Sequence, residues 1–274
     1  MKKNLSSHNY EIIEATCKPK ICTYVRNQSI KIMALPTNLG TESIGRLLRQ
    51  YAVPAIVAMT ASSLYNMIDS IFIGQGVGPL AISGLAVTFP FMNLAAAFGA
   101  LVGVGASTIV SVKLGQKDYA SARKALGNVV ALNIIIGVAF MVVSLLFLDK
   151  ILLFFGASEN TLQYAREYME IILYGNVVTH MYLGLNAVMR SGGHPQRSMA
   201  MTILTVILNA ILDPIFIFVL DWGIRGAAIA TILAQIVALT WILISFTNKQ
   251  EMLHFESGIF KLDRRIVTAS LSIG

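Results

Sequence analysis

Within residues 202–220, TILTVILNAILDPIFIFVL, an apolar run long enough to cross a bilayer carries Asn209, Asp213 and Pro214 at its centre. A charged side chain at a helix centre in lipid costs at least about 2.5–3.5 kcal/mol, so such a group faces a cavity or a partner. Asn209 and Asp213 are i and i+4 and stack on one helix face. Pro214 has no N–H for the carbonyl of Ala210 one turn back, and its ring pushes that carbonyl outward. An amide oxygen, a carboxylate and a freed carbonyl then converge on one patch. Such oxygens hold a proton by hydrogen bonding, or coordinate a hard cation such as Na⁺ once water or another helix completes the shell. Asp69, the only charged residue between Arg49 and Lys113, is the second acid of this kind. For both acids the plain alternative is an interhelical clamp made by a protonated carboxyl.

These residues need membrane-spanning elements to hold them. The chain of 274 residues is 55% hydrophobic with only 13% charged residues, about half the fraction usual in a soluble domain. Six runs of spanning length follow from position 51, roughly 51–73, 85–112, 126–148, 168–189, 199–220 and 227–246. The expected fold class is an all-α integral membrane protein with six transmembrane helices. The second run is rich in Gly, Ala and Ser, which lets helices approach closely in lipid, and Gly99 and Gly103 form a weak G-x-x-x-G pair there.

The net charge of +7 reflects short basic clusters between apolar runs, which excludes the stripe or groove of a nucleic-acid binder. Lys113, Lys117, Arg123 and Lys124 follow the second run, Arg190 and Arg197 the fourth, and Lys249, Lys261, Arg264 and Arg265 the sixth. The alternate loops hold only Lys150, Arg166 and Arg225, so both termini are assigned to the cytoplasm of a cell (inner) membrane protein. Residues 1–32 form a polar extension without the apolar core of a signal peptide, expected to carry little fixed structure. Cys17 and Cys22 within it lack the further ligands a zinc site needs. Residues 33–49 are expected to be an amphipathic lead-in capped by Thr41, with Ile44, Leu47 and Leu48 on one side. Residues 50–248 are the membrane lobe and 249–274 a cytoplasmic link.

Other polar residues carry less. Thr231 either adds a hydroxyl to the site or bonds its own i−4 carbonyl. Asn186 and His180 in the fourth run are expected to be satisfied structural groups, and Phe89, Phe91, Met92, Phe98 and Met141 to pack more than to line a pocket. G-x-S-x-G, H-E-x-x-H and Walker patterns are missing, so the chain is not read as an enzyme. No cofactor or resident metal is expected beyond a Na⁺ at the coupling site.

The segments PAIVAMTASSLYNMIDSIFIGQGVGPLAISGLAV, GVGASTIVSVKLGQKDYASARKALGN, RSGGHPQRSM, LNAILDPIFIF and GIRGAAIATILAQ resemble, in order and spacing, the N-terminal lobe of prokaryotic MATE multidrug and toxic-compound extrusion transporters. The resemblance runs from about residue 39 to 274. It implies one six-helix lobe of a two-lobe antiporter that exports cationic, lipophilic or aromatic compounds in exchange for H⁺ or Na⁺. By the match Asp69 is the first-helix acid of Y-N-x-x-D, Asn209 and Asp213 the N-x-x-x-D-P pair, and Thr231 the threonine that joins them. Asn186 and Pro214 become tentative cavity residues. The implied partners are the bilayer, small-molecule substrates, and a C-terminal lobe missing from this sequence or a second copy. The family usually begins near the counterpart of Met33. Two rival readings are a lipid-linked oligosaccharide flippase, disfavoured because no span holds Lys or Arg, and a half-lobe that does not transport.

Overall fold

A computed structural model describes residues 43–248, 251–256 and 262–274. Thr41, Cys17, Cys22, Met33, Lys249 and Lys261, and with them most of the expected extension and lead-in, lie outside the described residues. The chain divides into a short unit, Met1–Leu47, and a large one, Leu48–Gly274. The described part of the first is Ser43 and the opening turn of a helix that runs from Ile44 without a break into the first span.

The described residues form α1 (Ile44–Gly76), α2 (Pro79–Gly115), α3 (Tyr119–Leu146), the short α4 (Leu148–Phe154), α5 (Glu159–Tyr174), α6 (Asn176–Ser191), α7 (Pro195–Pro214), α8 (Gly223–Thr247) and α9 (Arg264–Ile273). Local chemistry sets the boundaries. Gly78, at φ 115°, makes the turn into Pro79 at the start of α2. Asp118 caps α3 by accepting from the Ser121 N–H at 3.1 Å, and Ser158 with Thr161 forms a reciprocal cap on α5. Gly193, at φ 94°, and His194 turn the chain into Pro195 at the start of α7.

Among the described residues, five helices are long and apolar enough to span a membrane, and six spans result if α5 and α6 count as one. This pair departs from the expected continuous fourth run, because it bends by 58° at Gly175. Hydropathy averages across such a break. Packing explains the need for glycine there: a Cβ on Gly175 would run into the Ile232 side chain of α8.

The centre of the bundle is α6, held between α2 and α3 by matched small residues. A Cβ on Gly103 of α2 would stand 2.7 Å from the Gly184 Cα, and one on Gly99 would stand 2.8 Å from the His180 ring. The weak G-x-x-x-G pair is therefore the groove that admits α6. On the other side Gly137 of α3 faces His180 and Asn133 faces Gly184, a polar knob into a glycine hole in each direction. His180 is fully buried and pairs through Nε2 with the Ala95 carbonyl at 2.9 Å, so the satisfied structural role expected of it holds for one ring nitrogen, while Nδ1 is buried without a partner among the described residues. Asn176 donates to the Gly137 carbonyl at 3.2 Å.

Apolar side chains fill both ends of the bundle. One cluster, around Val102, Leu126, Leu185 and Ile242, packs the end where α2 meets α3; the other, around Ile73, Leu85, Tyr168 and Ile224, packs the opposite end. The outer surface is also apolar: Met59, Val143, Trp241 and Ile244 are each more than half exposed. A surface of this kind is a liability in water and ordinary in a bilayer.

Candidate functional site

The polar residues singled out in the apolar runs meet between the two ends. Asp69 of α1, Asn209 and Asp213 of α7 and Thr231 of α8 are all buried, Asn209 and Asp213 completely. The i, i+4 stacking holds: Asn209 Nδ2 donates to Asp213 Oδ1 at 3.0 Å. The same amide donates to Thr231 Oγ1 at 3.3 Å, which joins α7 to α8. Thr231 takes both roles open to it, since its hydroxyl also reaches its own i−4 carbonyl, Ala227, at 3.1 Å. Tyr65 of α1 closes the group, with its hydroxyl 2.9 Å from Thr231 Oγ1. If each hydrogen is used once, Tyr65 and Asn209 donate to Thr231 and Thr231 donates to Ala227.

Asp69 comes within side-chain hydrogen-bonding reach of Asp213. Three buried oxygens of this cluster, Asp69 Oδ1, Asp213 Oδ2 and Asn209 Oδ1, have no protein donor among the described residues. All three are acceptors, two of them on acids. The donor set therefore fits a proton or a small hard cation better than an anion or an apolar ligand.

The backbone after Asp213 is unusual. The helix passes Pro214 into a π-helical turn, Ile215–Val219, before the chain enters α8 through Gly223, at φ 54°. A π turn is a common answer to a missing N–H and is frequent at functional sites. Trp222 N–H then donates to the Phe216 carbonyl at 3.0 Å.

Beside the cluster lies a cavity of about 350 Å³ bordered by α1, α2, α5, α6, α7 and α8. Tyr65, Asn209 and Thr231 form its wall on the side of the acids, while Asp69 and Asp213 do not line it. The remainder of the wall is mostly apolar, with the amides and hydroxyls of Asn66, Asn93, Thr205 and Gln235 set into it, and Thr179 donates to Gln235 Oε1 at 2.6 Å. Phe89 and Met92, expected to pack more than to line a pocket, line this cavity. Phe91 stacks on Phe140 and Phe98 meets the same ring at a tilt, both as packing contacts.

Two residues expected at the cavity sit elsewhere. Asn186 points from α6 to the start of α7, where the Ser198 hydroxyl donates to its carbonyl oxygen and its own amide reaches the Ser198 carbonyl at 3.5 Å. Pro214 is half-buried and shapes the backbone without lining the cavity. Conversely, Tyr65 and Gln235 were not singled out. Each is one helical turn from a residue that was, Tyr65 from Asp69 and Gln235 from Thr231, and the i±4 rule reaches both. Tyr168 of α5, buried close enough to interact with both acids, offered no such signal.

Comparison with known proteins follows the same residues. The MatE family model matches residues 54–215. The chain is 30% identical over 232 residues to the multidrug export protein MepA of Staphylococcus haemolyticus, covering 85% of this chain and 51% of that protein. It is 27% identical over 229 residues to MepA of Staphylococcus aureus strain NCTC 8325, with 84% and 51% covered. Among solved structures, a MATE protein in the bent conformation superposes with a TM-score of 0.77 at 28% identity over 82% of this chain and 50% of the other. The outward-facing structure of a multidrug resistance MATE transporter of the MOP superfamily gives the same values. The chain thus spans about half the length of the curated relatives it matches.

Proposed function

The chain belongs to the MatE family of membrane transporters, and from that premise we propose that it forms one lobe of a multidrug efflux antiporter that exports cationic or lipophilic compounds in exchange for H⁺ or Na⁺. The observation that carries this reading is the acid pair Asp69–Asp213, buried behind a largely apolar cavity with polar groups in its wall and tied to it through Asn209, Thr231 and Tyr65. Two carboxyls side by side away from water demand a positive charge between or beside them. A proton or Na⁺ supplies it. With the pair neutralised, α7 and α8 lose an electrostatic constraint and repack about the Pro214 π turn, and a cationic compound in the cavity loses its counter-charge and leaves.

The basic loops set the orientation, with the α2–α3 and α6–α7 turns and both termini on the cytoplasmic side of the cell membrane. The second lobe needed to enclose a path across the membrane is either further chain or a second copy. The cavity wall, among the described residues, contains no Lys or Arg, which speaks against a flippase that must hold a lipid diphosphate. The test is transport of a lipophilic fluorescent cation in vesicles under an imposed pH gradient or an imposed Na⁺ gradient. Drive by one gradient alone identifies the coupling ion; equal, undriven flux in both overturns antiport.

A further inference from the structure

The geometry points to a binding site for an anionic phospholipid headgroup at the end of the bundle where α2 turns into α3. A recess of about 480 Å³ lies there between the end of α2, the start of α3 and α9. It is independent of the cavity beside the acids and of the transported compound. Lys113, Lys124 and Arg265 line its rim, together with one acid, Asp263. Asp263 is already engaged, because its carboxylate caps α9 by accepting from the Arg265 N–H at 2.9 Å. Lys113 is shared with Asp118, 3.5 Å away, and with Gln116 Oε1 at 3.2 Å. Lys124 and Arg265 are exposed, and neither side chain makes an ion pair among the described residues.

Below that rim the wall is apolar, with Ile109, Val112, Ile266 and Ile273 along the recess. Val112 and Ile273 are about half exposed. A cationic rim above a greasy wall at the level where a span leaves the bilayer matches an amphiphile with a phosphate head and acyl tails, and not a free anion. The recess is built firmly. The Asp263 N–H is held by the buried Asn128 side chain at 3.1 Å, and the α9 backbone at Ser270 lies so close to Gly105 of α2 that no side chain would fit there. Charge selects the headgroup, since two unpaired cations favour phosphatidylglycerol over zwitterionic phosphatidylcholine.

The test offers the purified chain equal amounts of phosphatidylglycerol and phosphatidylcholine with identical acyl chains, and counts bound lipid by native mass spectrometry. Phosphatidylglycerol should be retained preferentially. Lys124→Gln and Arg265→Gln should each cut that preference about fivefold, and Lys124→Arg should keep it. Both glutamine substitutions are on exposed positions, so the fold survives and gel filtration verifies it. Equal retention of the two lipids, an unchanged preference in both glutamine variants, or displacement of the lipid by inorganic phosphate at equal concentration would overturn the assignment.

Discussion

Thr231 is the residue on which the polar cluster turns, because one hydroxyl oxygen serves Tyr65, Asn209 and the Ala227 carbonyl. Thr231→Val keeps the shape and removes all three bonds, so the protein should lose about 1–2 kcal/mol of stability in detergent and its cation response should weaken. Thermal unfolding with and without Na⁺ checks both. Outside the spans, Glu251 is held by Arg197 at 2.9 Å and His194 at 3.3 Å, next to the buried Leu253. Burial pushes the His194 imidazole below its ordinary value, more than Glu251 raises it. The folded state therefore prefers neutral His194, and its contribution to stability is complete above about pH 6.5 and declines as the pH falls below that. Hydrogen-exchange protection factors at residues 251–256, corrected for the intrinsic pH dependence of amide exchange, should fall on acidification in the wild type, and His194→Gln should flatten this dependence. At this scale Asp69, Asn209 and Asp213 were legible in the sequence because a polar group in an apolar run is costly enough to need a reason. Thr231 was legible only in part, since a threonine that bonds only its own backbone has the same sequence signature and the motif match alone joined it to the pair. Asn186 meets Ser198 of α7 instead of the cavity beside the acids, and spacing along one helix does not say which neighbour a residue meets.

The elements are joined by close backbone approach, and glycine positions carry the strongest forecasts. Gly103→Ala places a methyl against the Gly184 backbone, which has no side chain to move aside, so α2 and α6 must separate. Expression and thermal stability in detergent should fall, by about 1–3 kcal/mol for an overpacked contact. Gly115→Ala, at the end of the same helix with nothing within 4 Å of the added carbon, should leave both unchanged. Equal effects of the two substitutions would remove the groove from the account. Apolar run length located the long spans, since each needs about 20 residues to cross lipid, although the helices start well before the runs do, as α1 does at Ile44 and α3 at Tyr119. It ran straight through the α5–α6 bend, because the residues on both sides of Gly175 are equally apolar. At the bend Gly175 packs against Ile232 from another helix, a contact that no local window contains.

At the scale of the molecule, two apolar ends enclose a polar layer, and the acids sit in that layer beside the cavity. Class and family were legible from composition and from motif order; the cavity was not, because its wall is assembled from six helices and no one of them shows it. The central claim is that Asp69 and Asp213 together bind and release the coupling cation. It is tested most directly by infrared difference spectroscopy of the purified protein in nanodiscs, stepped between acid and alkaline pH and then between Na⁺ and K⁺. The account predicts a buried-carboxyl band that responds to one of these exchanges and disappears in Asp213→Asn. A spectrum that Asp213→Asn and Asp69→Asn leave identical to the wild type would contradict it.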